Sequence, residues 1–424
     1  METNGLPNGL SNGLSDGWSE YPSSDEEDGH LTPLEDLVPE FEVIDEDIVL
    51  EEETISSFDP ERWYPIRLGD FITTRYQVMV KLGYGSASTA WLCRDNEQDT
   101  YATVKIYETG SQQAATENNI HRYLRSINDG DDFGLDRLRF CRRSFRINGP
   151  VGSHVCMVYA PLCMTLEDVR NRRGGKFSLR LLKSVIYTFM PGVWYLHSMG
   201  SMVHTDLHPG NIMMASENVR IWDGFVQEEL MYPTPRKITA DRVIYKSRTP
   251  MIGSDAFPVI CDFGKVRVGE GPFLGEAMQD AYRAPEIVLG IPWNEKVDIW
   301  SLGIMMWYLF EGKHLFRNGE PNREVTRGAQ LARMVSLLGN PPRDFLERSR
   351  CSYEFFDEDG NLHPHLQNIE NTSLDEEEEN LEGEEKEQFL SVIRKMLQWR
   401  PEDRPCALNL LLDPWFNLET GADS

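Results

Sequence analysis

Val203-His204-Thr205-Asp206-Leu207-His208-Pro209-Gly210-Asn211-Ile212-Met213-Met214, followed later by Cys261-Asp262-Phe263-Gly264, is the part of this sequence that decides its fold. The first loop offers a carboxylate, Asp206, and an amide, Asn211, five positions apart. The second offers another carboxylate, Asp262, close to a glycine that lets the backbone turn sharply. Phosphoryl transfer requires a base to accept a hydroxyl proton and oxygen ligands for the Mg²⁺ ions that neutralise phosphates. The two loops, in this order, supply Asp206 as the base and Asn211 and Asp262 as metal ligands.

The chain upstream supplies the other half of such a site. Leu82-Gly83-Tyr84-Gly85-Ser86-Ala87-Ser88-Thr89-Ala90 reads as strand, glycine turn and strand. Gly83 and Gly85 let backbone amides approach phosphates that a side chain would push away. A Gly-rich hairpin turn would look the same, so the weight of this loop comes from the strand and helix next in the chain. Tyr101 to Tyr107 is a β-branched and aromatic strand with Lys105 in its middle, at the place of a phosphate-binding lysine. Glu117 lies near the start of a helix carrying Ile120, Tyr123, Leu124 and Ile127 at three- and four-residue spacing. Glu117 is the candidate partner of Lys105; a solvated helix carboxylate is the alternative.

Net charge is −27, but it is unevenly placed. Residues 1–60 hold eighteen Asp and Glu and no Lys or Arg, and 375–387 hold nine acids against Lys386, leaving about −1 elsewhere. Both segments lack a packing pattern and are expected to be disordered, either simply solvated or attracting a basic partner. No basic arm points to nucleic acid. No apolar run approaches the roughly twenty residues of a membrane span, and Met1 to Gly29 does not read as a signal peptide. Seven scattered cysteines without a Cys-x-x-Cys pair fit a reducing compartment, so cytoplasm or nucleus is expected.

Further along, His154 to Tyr159 reads as a strand leading into a hinge at Ala160-Pro161-Leu162. Tyr159 would close the back of an adenine pocket whose edge the backbones of Ala160 and Leu162 would bind. Helical patterns run from Leu179 to Ser198 and from Asp298 to Phe310; Pro191-Gly192 is expected to kink or end the first. Ala284-Pro285-Glu286 closes the loop begun at Asp262, and Arg404 is a candidate bidentate partner of Glu286. Asp298 is either an N-cap or a carboxylate holding the backbone of the loop at Asp206, the second being preferred from its place after Ala-Pro-Glu. The insertion Gly224 to Pro258 is expected to be at best an ordered loop around Pro233-Thr234-Pro235-Arg236-Lys237.

On these residues the chain resembles the eukaryotic protein kinases over roughly Trp63 to Phe416, and among them is similar to SR-protein kinases of divergent fungal type. His204-Thr205-Asp206 has Thr where most kinases have Arg, as in that subfamily. Ser88-Thr89-Ala90-Trp91-Leu92 is close to its Ser-Thr-Val-Trp-Leu, and Glu61-Arg62-Trp63-Tyr64-Pro65 with Ile66-Arg67-Leu68-Gly69-Asp70 looks like its N-terminal extension. The resemblance implies an α+β, two-lobed kinase fold: an acidic tail 1–60, a β-rich N-lobe 61–161 and a mainly helical C-lobe 162–424 that includes 375–387. It implies ATP and Mg²⁺ as cofactors, with Leu82, Gly83, Gly85, Ala90, Thr103, Lys105, Tyr159, Ala160 and Leu162 around the nucleotide. It implies a serine/threonine kinase acting on basic or Arg/Ser-rich protein segments, and a monomer is expected.

Three departures from the family pattern bear on activity. The lysine of Asp-Leu-Lys-Pro-Glu-Asn is His208, and a neutral imidazole is a poor substitute for a fixed cation. The threonine five residues before Ala-Pro-Glu is Gln279, in the same contact network, and Thr103 stands where alanine usually faces adenine. His208, when protonated, is a candidate donor to the γ-phosphate. From Asp262 to Glu286 there is no Ser or Thr, so activation without loop phosphorylation is expected. The rival readings are a pseudokinase serving as a nucleotide-binding or interaction module, and a small-molecule phosphotransferase with a similar His-x-Asp loop.

Overall fold

In a computed structural model the described residues are 40–127, 133–253, 255–316, 327–366 and 372–416. The sequence's acidic segment up to residue 39 therefore lies outside them. After a short strand β1 (Val43–Ile44), the N-lobe is built on β2 (Phe71–Ile72), β3 (Tyr76–Gly85), β4 (Ser88–Asp95), β5 (Thr100–Tyr107), β6 (Cys141–Asn148) and β7 (Ser153–Tyr159). These form one antiparallel sheet in the order β2-β3-β4-β5-β7-β6. Helix α1 (Gln112–Ile127) buries Ala114, Glu117, Ile120, His121 and Leu124, a stripe at the helical repeat that faces the sheet.

The C-lobe carries α2 (Leu166–Arg172), α3 (Leu179–Ser198), β8 (Met202–Val203), β9 (Ile212–Ala215), α4 (Arg220–Met231), β10 (Arg236–Ile238), β11 (Val243–Tyr245), β12 (Phe257–Ile260) and β13 (Arg267–Val268). It continues with α5 (Pro285–Val288), α6 (Lys296–Glu311), α7 (Arg327–Leu338), α8 (Arg343–Leu346), α9 (Leu374–Glu377), α10 (Gly383–Met396) and α11 (Ala407–Leu411). Every residue of α6 from Val297 to Glu311 is buried, so this helix runs through the middle of the lobe. β9 pairs with β12, Ile212 opposite Ile260, which sets the loop before β9 beside the loop after β12. The Cys261 N–H donates to the Asn211 carbonyl at 2.8 Å and joins the two.

The structure corrects four expectations. Helix α3 passes through Pro191 unbroken. The proline costs about 3 kcal/mol in a helix interior, while each buried large apolar side chain returns about 1.5–3. Phe189, Met190, Val193, Tyr195 and Leu196 are all fully buried around it. Gly192 also lets the helix approach closely, since a Cβ there would lie 3.1 Å from Arg137, Leu138 and Ile260 atoms.

The second correction concerns the acidic tail, whose last part is folded. β1 pairs in parallel with β10, Val43 opposite Arg236. Glu52 meets the buried Lys81 ammonium, Glu53 lies 2.8 Å from Lys237, and Glu51 accepts from the Ser247 N–H at 3.0 Å. Third, the insertion 224–258 is helix α4 and a strand pair rather than a loop. Tyr245 packs edge-on against Trp91 at 5.8 Å, and its hydroxyl accepts from the Leu68 N–H at 3.2 Å. The tail and the insertion thus neutralise and cover each other, which charge counting along one segment does not reveal.

Fourth, 375–387 runs from α9 through a short connection, 378–382, into α10. Ser373 and Glu376 close a capping box, Glu377 pairs with Arg333 at 2.8 Å, and Glu379 with Lys313 at 2.8 Å. Glu384 and Glu385 occupy the first turn of α10, where the helix dipole favours acids. Cations from distant segments account for the order.

Candidate active site

The site lies where β5 and α1 of the N-lobe meet the two loops around β9 and β12. Lys105 Nζ lies 3.0 Å from Glu117 Oε2, so the pair expected from the sequence is formed. Glu117 is buried and also accepts from the Tyr159 hydroxyl at 2.6 Å and from the Tyr107 hydroxyl. Burial by itself pushes the Glu117 carboxyl up, but the Lys105 ammonium, His121 and Tyr107 outweigh it and hold it well below its ordinary value. Tyr159 therefore closes the back of the site by bonding the carboxylate. Tyr107 and His121 were invisible from spacing alone.

Along the roof, Gly83 stands opposite Ala90 and Gly85 opposite Ser88, while Ala90 is also paired with Lys105. A Cβ on Gly83 would meet nothing within 4 Å. Leu82 is partly buried beside Gly83. Thr103 pairs with Tyr159 and is buried, its Oγ1 without a partner among the described residues. Ala160 and the buried Leu162 follow β7 directly, at the lobe junction.

The loop holding Asp206 is fixed from below. Asp298, fully buried, accepts from the His204 N–H at 2.7 Å and the Thr205 N–H at 2.9 Å, with His197 Nε2 at 2.9 Å. This is the loop-holding role, not the N-cap. It pins Thr205 at φ 65°, a left-handed conformation that costs a non-glycine residue about 1 kcal/mol. Asn211 Nδ2 donates to the Asp206 carbonyl at 2.9 Å and to the Asp206 Oδ2 at 3.2 Å, which leaves the side-chain oxygen Asn211 Oδ1 for a cation. Asp262 is also left-handed, φ 62°, and its Oδ1 accepts from the Gly264 N–H at 3.2 Å.

Sequence reasoning did not foresee Lys265. Its Nζ lies 2.9 Å from Asp206 Oδ2, while Asp206 Oδ1 is buried with no partner among the described residues. The only sequence signal was its position directly after Gly264. His208 and Gln279, the two departures, do touch: their Nε2 atoms are 2.9 Å apart. His208 Nδ1 accepts from the Gly210 N–H at 3.1 Å, so in the neutral ring Nε2 carries the proton and the Gln279 amide meets it with its oxygen after a half-turn. Burial lowers the His208 pKa, outweighing the attraction of Asp206, which disfavours the protonated donor expected from the sequence.

Glu286 and Arg404, both fully buried, form the anticipated bidentate pair at 2.7 Å on each side. Between Asp262 and Glu286 the segment is tied by backbone pairing. β13 pairs with β8, and Phe273 and Trp293 exchange two backbone bonds at 2.7 and 2.9 Å.

Known proteins resemble this chain over most of its length. The sequence model of the protein kinase domain matches residues 76–236 and 246–416. A serine/threonine protein kinase of Aspergillus fumigatus is 37% identical over 389 residues, covering 91% of this chain and 95% of its own. The serine/threonine-protein kinase SRPK of Physarum polycephalum is 26% identical, covering 86% of this chain and 91% of its own. SRSF protein kinase 3 of Mus musculus is 22% identical, covering 84% and 88%.

Proposed function

The chain belongs to the protein kinase family, and we propose that this serine/threonine protein kinase phosphorylates serines in Arg/Ser-rich or otherwise basic protein segments, without phosphorylation of its own activation segment. The observation that carries the transfer chemistry is Asp206. One carboxylate oxygen is held by Lys265 and Asn211, and the other is buried and has no partner among the described residues, so its hydrogen-bonding capacity is unspent.

Members of this family use ATP, typically with Mg²⁺. The residues present fit that pair. The unpaired Thr103 hydroxyl, the open space at Gly83 and the oxygen donors Asn211 and Asp262 provide a pocket end, a phosphate approach and a hard-cation donor set. Mg·ATP, when bound, supplies the transferable phosphoryl group. The chain's own residues do the rest: Lys105, positioned by Glu117, binds phosphate oxygens, Asn211 and Asp262 hold the metal, and Asp206 orients and deprotonates the acceptor hydroxyl.

Two lines favour the substrate class. The resemblance extends to relatives named as SRPK and SRSF protein kinases, and the net charge of −27 attracts basic segments. Loop independence is favoured by the absence of Ser and Thr between Asp262 and Glu286, and by the backbone ties of that segment. A monomer acting in cytoplasm or nucleus, free of nucleic acid and membrane, completes the reading. The test is transfer of labelled γ-phosphate to an Arg-Ser repeat peptide, a basic non-repeat peptide and a neutral serine peptide, with Asp206→Ala as control. Label on the repeat or basic peptide, lost in the variant, is expected. Nucleotide binding without label on any peptide would instead establish the binding-module reading, which the replacement of a fixed cation by the His208–Gln279 pair favours.

A further inference from the structure

The loop from Asp206 to Asn211 contains no Lys or Arg. His208 stands at its lysine position, with its Nε2 2.9 Å from the Gln279 amide nitrogen. Yet a cation does reach Asp206, from the other loop: Lys265 Nζ lies 2.9 Å from Asp206 Oδ2. The Lys265 side chain is 58% exposed, and an exposed lysine ordinarily keeps its rotamer freedom in water. Here its backbone is fixed on two sides. The Thr205 hydroxyl donates to the Lys265 carbonyl at 2.9 Å, and two residues on, Arg267 enters β13 opposite Val203. Thr205 is itself held by Asp298. Lys265 thus reaches Asp206 beside three departures from the usual pattern, Thr205, His208 and Gln279. Thr205 anchors the lysine, while His208 and Gln279 bond to each other.

We propose that Lys265 is the phosphate-contacting cation of this kinase, supplying from the start of the activation segment the charge that the loop at Asp206 lacks. This rests on the kinase reading above. Lys265 gives up no proton and changes no bond. Its ammonium contributes charge where negative charge gathers during transfer, and it sets the Asp206 carboxylate between reactions. The His208–Gln279 pair keeps the loop's shape in place of a lysine–threonine pair. One alternative is a counter-ion that serves Asp206 alone.

The test uses the full chain as wild type, Lys265→Met, Lys265→Arg and the triple variant Lys265→Met/His208→Lys/Gln279→Thr. Equilibrium affinities for Mg·ADP and for Mg·AMPPNP, a non-hydrolysable ATP analogue, are measured beside kcat and KM on the best peptide. Lys265→Met is expected to lower kcat about 10- to 100-fold. It should weaken Mg·AMPPNP about tenfold while leaving Mg·ADP unchanged, as loss of one charge-assisted contact to the terminal phosphate requires. Lys265→Arg should keep most of the activity, and the triple variant should regain AMPPNP affinity and part of kcat. An unchanged ratio of AMPPNP to ADP affinity in Lys265→Met overturns the proposal, whatever happens to kcat, and so does an unchanged kcat. If Lys265→Met melts early, the triple variant decides: restored folding without restored ratio overturns it. If wild type labels no peptide, the kinase reading fails, while the affinity ratio still judges Lys265 by itself.

Discussion

Asp298→Asn separates positioning from chemistry at this site. The aspartate is fully buried and accepts two backbone N–H bonds, at 2.7 and 2.9 Å, one on each oxygen, while His197 shares the first. An asparagine of the same shape offers one oxygen and one NH₂. Whichever way the amide turns, a backbone N–H of His204 or Thr205 then faces another donor. An unsatisfied buried donor costs about 1–3 kcal/mol, and the lost charge-assisted bond to His197 adds about 1 more. The left-handed Thr205, φ 65°, is the point at which the loop can relax, and relaxation there recovers about 1 kcal/mol. The net expectation is a loss of about 1–3 kcal/mol in stability. Asp206, next to Thr205, would shift with it, and a displacement of about 1 Å costs on the order of 10²-fold in kcat. Denaturant unfolding and steady-state kinetics on the same preparation measure both. ATP KM should move little, because Lys105 and Glu117 sit on β5 and α1. Wild-type kcat with the expected loss of stability would show that Asp298 holds the lobe but not the base, and would refute the positioning argument.

Arg404→Met should destabilise by about 3–5 kcal/mol, because it leaves the Glu286 carboxylate buried and unpaired and strips donors from three backbone carbonyls. Glu286→Gln should cost less, since Arg404 keeps those carbonyls; equal losses in urea unfolding would contradict this. Glu52→Leu alone should cost about 3 kcal/mol by leaving the buried Lys81 only the more distant Glu51 carboxylate, 3.9 Å away, and adding Lys81→Met should recover most of it, even though Lys81 also bonds the Tyr245 carbonyl. Burial lowers the pKa of His121, His154 and His208 below 6.5 in the folded state. Their contribution is therefore complete above pH 6.5 and lost as pH falls further, because the unfolded chain binds protons first. His154→Asn, which can still meet the Tyr107 carbonyl that His154 Nδ1 reaches at 3.0 Å, should flatten that loss in melting curves between pH 7 and 5. An unchanged slope would show that His154 does not contribute.

Short-range chemistry determined much of this protein from sequence alone. Asp206, Asn211, Asp262, Lys105 and Glu117 could be named because phosphate and Mg²⁺ chemistry demands those side chains at near-fixed spacing on a strand, a helix and two turns. The Glu286–Arg404 pair and the role of Asp298 followed from the same order of motifs. What sequence could not decide were matters of net charge and closeness between distant segments. The acids Glu51 to Glu53 at the end of the tail and those of 375–387 were expected in disordered segments because they were counted without cations from elsewhere. Lys81, Lys237, Lys313 and Arg333 come from elsewhere in the chain and are brought in only by folding. Pro191 looked like a breaker because a local penalty of about 3 kcal/mol is readable and the packing that offsets it is not. Lys265 was silent for the same reason. Its position after Gly264 is one-dimensional, whereas its 2.9 Å approach to Asp206 depends on β9 lying beside β12 and on Thr205 holding the Lys265 carbonyl. Side-chain chemistry is local and can be read along the chain; compensation of charge and strain is a property of contacts, and contacts exist only in the folded molecule.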